Sequence, residues 1–309
     1  MEELKKAQRP LLVVHQNPDG DALGSAVALQ EYLITQNKNC TIWSSTPIHE
    51  KYTFLPHIYN IQSDPNYFAQ ADLLVILDSG DLKYAGVEKL VQTMKHRIIN
   101  IDHHPTNQNY GKINLVLPTV SSTSEIIFNF FRRNNIVTNH RMATALLTGL
   151  ITDTDNFSNP ATSVNTFLVA SQLVRAGGNL NLINQWIVKN KTINSLRLWG
   201  AVLSRLEKIE KKNIIYTYIT KDDLLTFAVA DSESEGIANF LNNMAGEGVC
   251  LLLKEVADGK IKGSFRTTRD DIDVAAWAKT LGGGGHKKAA GFTSTGTIDE
   301  ILEKILTIT

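Results

Sequence analysis

Three short apolar runs constrain this chain more than any other feature, because each one ends on residues that carry chemistry. LLVVH at 11–15, LLVIL at 73–77 and RIINI at 97–101 lead directly into His15, Asp78 and the triplet Asp102-His103-His104. Near-continuous Val-, Ile- and Leu-rich runs of this length are the signature of strands buried on both faces, and such strands belong to parallel sheets covered by helices. In open parallel α/β sheets, ligands bind beyond the carboxyl ends of the strands. Three strand ends that carry Asp and His therefore point to one site rather than to scattered polar residues. A fourth apolar run at 40–43 fits the same sheet, and a helix is expected from about 22 to 35, after the Pro-Asp-Gly-Asp turn.

Beyond Ser121 the pattern turns helical. SSTSEIIFNFFRRNN offers Ser/Thr caps with a Glu at capping-box spacing. A second helix over about 141–152 runs into TDTDNFSN, and another stops near Gly177-Gly178. The stretch 179–212 reads as a helical connection. NIIYTYIT, VCLLLKEV and KIKGSFRTT then read as strands, with ADGK as a hairpin turn between the last two. Helices over 271–279 and 299–306 flank GGGGHKKAAGF. The expected fold class is α/β. An N-terminal, mostly parallel sheet with flanking helices spans residues 1–185, a helical linker 186–209, and a smaller C-terminal α/β domain 210–309. Two domains are the ordinary expectation for 309 residues, and a chain of this length folds without disulfide or metal staples.

Composition narrows the classes. Lys+Arg and Asp+Glu both number 31, so the formal net charge is zero, which argues against a protein that wraps long nucleic acid electrostatically. Cys40 and Cys250 read as two buried thiols. The N-terminus MEELKKAQRP lacks an apolar signal core, and no apolar run approaches the ~18 residues that span a bilayer. The expectation is a cytoplasmic protein with no membrane contact.

By itself, HQNPDGD at 15–21 is a polar turn with helix-capping aspartates. Adding Asp78, Asp102-His103-His104 and Asp153 changes its meaning. Carboxylate oxygens mixed with imidazole nitrogens suit Mn²⁺, Mg²⁺ or Zn²⁺, and a carboxylate-rich mixture leans to Mn²⁺. Four or more carboxylates in one place repel, and their pKa values rise unless divalent cations neutralise them. If these segments meet in space, bound metal is close to obligatory.

The ordered set HQNPDGDALGSAVAL, VILDSGD, IDHHPTN, GLITDTDNF, GSFRT and GGGGHKKAAGF resembles the DHH phosphoesterases, in the branch with a C-terminal DHH-associated domain. The resemblance covers essentially the whole chain and is closest to the bacterial nano-RNases. It implies hydrolysis of very short oligoribonucleotides and of 3'-phosphoadenosine-5'-phosphate at a site with two divalent metals, most simply Mn²⁺. It implies further that His15 and Asp19 hold the first metal, that Asp21, His103 and Asp153 hold the second, and that Asp78 bridges them. Asp102 orients the neighbouring imidazole and His104 contacts the scissile phosphate. Two metals about 3.5–4 Å apart can hold a hydroxide for in-line attack at phosphorus, with the 3'-oxygen leaving. The chain departs from the family where Asp155 stands in place of a frequent glycine, and a helix-end role is expected for it. A homodimer through the first domain is also implied.

The glycine run can bring backbone N–H groups close to an anion, and Arg266 can grip phosphate with two parallel hydrogen bonds. Arg266, Gly284, Gly285 and His286 are the expected substrate-binding residues, with Lys287 and Lys288 as accessory charges. The Ser121–Ser124 stretch is first a helix cap, with a hydroxyl contact to substrate as the second reading. His49, His57, His96 and His140 lie outside the motifs, and Tyr52, Phe54 and Tyr59 are expected to pack as core. The same motifs fit a phosphodiesterase for cyclic di-AMP or its linear product, and, in another class, a sensor that binds a nucleotide without cleaving it. The zero net charge hides a segregation of aspartates at one pole and Arg266 with the lysines at the other, which suits a small anionic substrate better than a long polymer.

Overall fold

The computed structural model describes residues 1–92, 97–188, 191–234, 236–244 and 248–307. The chain divides into two compact units, Met1–Asn190 and Lys191–Thr309.

The first unit contains β1 (Pro10–Val13), β2 (Thr41–Trp43), β3 (Leu73–Leu77), β4 (Arg97–Asp102) and β5 (Ile113–Val116). Its helices are α1 (Glu2–Lys6), α2 (Gly20–Thr35), α3 (Asn66–Gln70), α4 (Glu88–Gln92), α5 (Thr123–Arg133), α6 (His140–Asp153), α7 (Val164–Arg175) and α8 (Leu180–Ile183). All the strand pairings are parallel, in the order β2-β1-β3-β4-β5. The apolar runs are buried on both faces, as their composition demands. Leu12, Leu73, Val75 and Leu77 face a core shared with α2, α5, α6 and α7, while Leu11, Val13, Leu74 and Ile76 face a second core with Trp43 and Phe68. The strand order reverses between β1 and β3, the place where such sheets open a crevice at their carboxyl ends. His15 and Asp78 flank that point.

Helix α2 starts two residues earlier than the sequence predicts. The Asp19 carboxylate accepts hydrogen bonds from Asp21 N (2.9 Å) and Ala22 N (3.1 Å), so the cap draws Gly20 and Asp21 into the first turn. Helix α6 likewise runs from His140 to Asp153 because Asn139 caps it through Met142 N (2.9 Å). The short helix α1 and strand β5 have no counterpart in the sequence expectations, since five-residue and four-residue elements carry little periodicity.

The second unit holds β6 (Glu207–Ile209), β7 (Ile214–Ile219), β8 (Val249–Val256), β9 (Lys260–Thr267), β10 (Gly284–His286) and β11 (Ala289–Thr295), with helices α9 (Ile193–Ser204), α10 (Lys221–Thr226), α11 (Ile237–Met244), α12 (Val274–Thr280) and α13 (Ile298–Thr307). The sheet order is β10-β11-β9-β8-β7-β6, parallel only between β7 and β8. Helices α12 and α13 cover one face, and α9 and α11 cover the other. Asp258 and Gly259 both have positive φ (61° and 63°) in the three-residue loop that joins β8 to β9, where Val256 pairs with Lys260. The segment read as a linker, 186–209, contains α9 and β6, and β6 pairs with β7 inside the second sheet.

Of the aromatic loop, Tyr52 is buried and Phe54 stacks on Trp186, but Tyr59 is 82% exposed and is not core. The single turn Ile58–Asn60 buries Ile58 and turns its neighbour outward. His49 caps a short turn, His57 pairs with Glu31 and His140 is exposed at the start of α6, while His96 lies outside the described residues.

Candidate metal centre

Each strand end delivers its side chain by a specific backbone event. After β1 the chain stays extended to His15, whose Nδ1 donates to the Gln16 carbonyl (2.8 Å). That bond places the ring proton on Nδ1 and leaves Nε2 as an electron-pair donor. Nε2 stands 3.8 Å from Asp19 Oδ1 and 3.6 Å from Asp78 Oδ2. Asp78, the residue after β3, has φ +58°, a left-handed conformation uncommon for an aspartate, and is 2% exposed. Its N–H donates to Ile101 O (2.9 Å), so β4 pins the turn that aims it.

At the end of β4, Asp102 is fully buried. It accepts from His103 N (2.8 Å), His104 Nδ1 (2.7 Å) and Asn107 Nδ2 (2.6 Å). Asp102 thus orients the ring of His104, not that of His103. Burial opposes ionisation of Asp102, but the His104 and Asn107 hydrogen bonds hold it below the usual carboxylate range, and Asp102 in turn raises His104. Asp153 ends α6, at the negative pole of the helix, where a carboxylate needs a cation nearby.

Asp21 is fully buried and held by the N-terminus of α5. Its two oxygens accept from Thr123 N (2.6 Å) and Ser124 N (2.8 Å). A Cβ on Gly149, across in α6, would overlap Ser124 Oγ and the Asp21 carboxylate, so only glycine permits this approach. Ser122 is the cap of α5, while Thr123 Oγ1 donates to Asp78 Oδ1 (2.9 Å). Thr123 therefore ties two of the acids together, and with Asn107 it is a site residue that sequence reasoning did not single out. The Ser/Thr run and the motif IDHHPTN mark the region, but not which member turns inward.

Three overlapping groups result: His15, Asp19 and Asp78; Asp78, His103 and His104; Asp21, His103 and Asp153. In each, the donor atoms lie within 4.8 Å of one another. The separations fit ions rather than hydrogen bonds. His103 Nε2 is 3.3 Å from Asp153 Oδ2 and 3.7 Å from Asp78 Oδ1, and two donors bonded to one ion at about 2.1 Å stand roughly 3–3.5 Å apart. His103 Nε2 is also buried with no hydrogen-bond partner, a loss that a cation would make good. Burial and the Asp78 charge push Asp21 up to about 7, and burial with Asp21 and Asp78 raises Asp153 well above its ordinary value. His15 goes to about 11; burial works against this, but Asp19 and Asp78 override it. A proton on any of these groups would have to leave before a cation could bind there. Asp155 belongs to none of the three groups. It follows the Thr154 cap with φ +48°, in the left-handed position that commonly closes a helix.

In the second unit, His286, Ala289 and Arg266 are successive partners across β10, β11 and β9, so their side chains share one face. Gly284, Gly291 and Ser264 form the next row. A Cβ at Gly284 would meet nothing within 4 Å, whereas Gly285, with φ +146°, has no room for one against Ala289 and Ala290. Arg266 donates to Asn239 Oδ1 and to the Phe265 carbonyl, and burial lowers its pKa. No carboxylate among the described residues pairs with it. Lys288 is engaged by Asp270 (2.8 Å).

Fold and donor set together define the class: a parallel α/β protein whose strand ends carry Asp/His groups able to hold divalent cations. The chain belongs to the DHH family, with residues 10–150 matching the DHH family N-terminal domain and residues 211–308 matching the DHHA1 domain. It is 29% identical to the bifunctional oligoribonuclease and PAP phosphatase NrnA of Thermus thermophilus, over 99% of this chain and 90% of that protein. It is 25% identical to the protein of the same name from Bacillus subtilis, over 95% and 92%. The crystal structure of an exopolyphosphatase-related protein from Bacteroides fragilis superposes with a TM-score of 0.91 at 26% identity, covering 99% of this chain and 93% of that one.

Two outcomes are expected. Thr123→Val removes the hydroxyl that steadies Asp78 and weakens Mn²⁺ binding about 10–100-fold in calorimetry, with Thr123→Ser close to wild type. Because Asp21 and Asp153 are raised and must ionise to bind metal, Mn²⁺ uptake near neutral pH releases protons. Its affinity falls as pH drops through about 7, by roughly tenfold per unit for each proton displaced, as calorimetry in buffers of different ionisation heat will read.

Proposed function

We propose that this protein is a divalent-metal-dependent phosphoesterase that hydrolyses short oligonucleotides and 3'-phosphoadenosine-5'-phosphate. The observation that carries this reading is the convergence of His15, Asp19, Asp21, Asp78, His103 and Asp153 around an unpartnered His103 Nε2. Relatives named as oligoribonuclease and PAP phosphatase, matched over nearly their full length, supply the substrate class.

His15 and Asp19 would hold one cation and Asp21, His103 and Asp153 another, with Asp78 shared between the two groups; Mn²⁺ would suit the donor set. Such cations polarise a phosphoryl oxygen and lower the pKa of a water molecule. Asp102 keeps the His104 ring in place through Nδ1 and raises its pKa, so Nε2 can donate a proton-bearing bond to a phosphate oxygen. In the second unit Arg266, a cation with no carboxylate partner among the described residues, binds a substrate phosphate. Gly284, Gly285 and His286 lie in the strand two places across the sheet from it and complete that anion-binding face. No helix among the described residues is long and apolar enough to cross a membrane.

A diribonucleotide should be hydrolysed with Mn²⁺ and left intact with EDTA, and Asp78→Ala should lower kcat by at least 10³-fold, on the order of a lost key catalytic group. Loss of metal-dependent cleavage on a diribonucleotide, 3'-phosphoadenosine-5'-phosphate and cyclic di-AMP alike would leave a nucleotide sensor. A comparison of kcat/KM across the three ranks the substrates. Arg266→Ala is expected to raise KM about 10–150-fold with kcat little changed.

A further inference from the structure

One aromatic side chain beside the metal centre has no role in holding metal and is not part of either core. Tyr84 lies in the loop after β3, and its ring is stacked on His15 with centroids 4.8 Å apart and planes inclined by 14°. Tyr84 is nonetheless 48% exposed. His15 is buried and covers one face of the tyrosine ring, so the exposed area is the opposite face and the rim. A half-exposed ring pressed flat against a group that faces two carboxylates is a platform with one side vacant.

The platform is built in advance. Tyr84 N donates to Asp81 Oδ1 (2.6 Å), and Tyr84 O accepts from Gln16 N (3.0 Å). These bonds tie the residue to its own loop and to the residue after His15. The Ala85 N–H to Asp81 O bond (3.2 Å) and the Gly86 N–H to Lys83 O bond (2.9 Å) close the same turn. An aromatic held this way loses little conformational entropy when a second ring lands on it. Burial raises the pKa of the Tyr84 hydroxyl; His15 opposes this, and the charges of Asp19 and Asp78 add to it, which places the ring alongside the first metal group.

We propose that the outer face of Tyr84 is a nucleobase-stacking subsite, which receives the base of the nucleotide adjoining the scissile phosphate in a base–Tyr84–His15 stack. It rests on the hydrolase reading above and adds the specificity that the metal centre lacks. Carboxylate-bound cations recognise any phosphate ester, whereas a ring platform selects esters that carry a planar base and tolerates all four. The ligand class is therefore a nucleotide, with inorganic and sugar phosphates disfavoured.

The test compares a diribonucleotide with its two singly abasic analogues in the wild type, Tyr84→Ala and Tyr84→Phe. In the wild type, one abasic analogue has a KM roughly 5- to 150-fold above that of the parent. Tyr84→Ala brings that ratio towards one, and Tyr84→Phe, which keeps the ring, restores it. Three results overturn the proposal: an unchanged ratio in Tyr84→Ala; a ratio lost in Tyr84→Phe, which would assign the effect to the hydroxyl; or an Mn²⁺ affinity lost in Tyr84→Ala, which would show that the ring only supports His15. Binding of a 2-aminopurine nucleotide, read by stacking-induced quenching, requires no turnover. Quenching that needs the Tyr84 ring supports the subsite even if hydrolysis fails, and quenching that survives Tyr84→Ala removes it.

Discussion

Mutual repulsion of carboxylates is the constraint on which the first unit depends. Asp19, Asp21, Asp78 and Asp153 come from three separated segments and meet in overlapping groups with His15, His103 and His104. Metal-free, the site is stabilised by protons: Asp21 and Asp153 are pushed up, and His15 retains its proton well above its usual range. Each of those protons is displaced when a cation enters. The sheet and its helices therefore hold a charge arrangement that is unfavourable on its own and that a bound cation would relieve.

What keeps the acids in place is mostly backbone. Asp78 is aimed by a left-handed turn clamped to β4, Asp19 by the first amides of α2, and Asp21 by the first amides of α5. Amides at helix N-termini carry partial positive charge, so they fix the direction of a carboxylate without competing for its metal. Thr123 joins the Asp21 and Asp78 anchors, with its N–H on Asp21 and its hydroxyl on Asp78. Gly149 allows α6 to come close enough for Asp153 to complete the set.

The second unit supplies different chemistry. Its sheet presents Arg266 and His286 in one row, next to a row of Gly284, Gly291 and Ser264. The last two residues of the glycine run, Gly284 and Gly285, enter the edge strand β10, and Gly284 leaves the sheet surface open beside a cation with no carboxylate partner among the described residues. Tyr84 in the first unit would add recognition of the base to recognition of the phosphate.

The sequence by itself determined the parallel sheet and the strand ends that carry Asp and His, because a strand buried on both faces is mostly apolar until it stops. LLVVH, LLVIL and RIINI are short, apolar and β-branched, and their alternation with helical segments gave the α/β class. Tertiary structure alone decided which imidazole Asp102 orients, that Thr123 rather than its neighbours reaches Asp78, that Tyr59 is exposed, and that Tyr84 lies on His15. Those outcomes depend on which atoms of separate segments come within a few ångströms. Within SSTS, and between His103 and His104, local propensities are similar, and only the packing of α5, α6 and the strand ends distinguishes them.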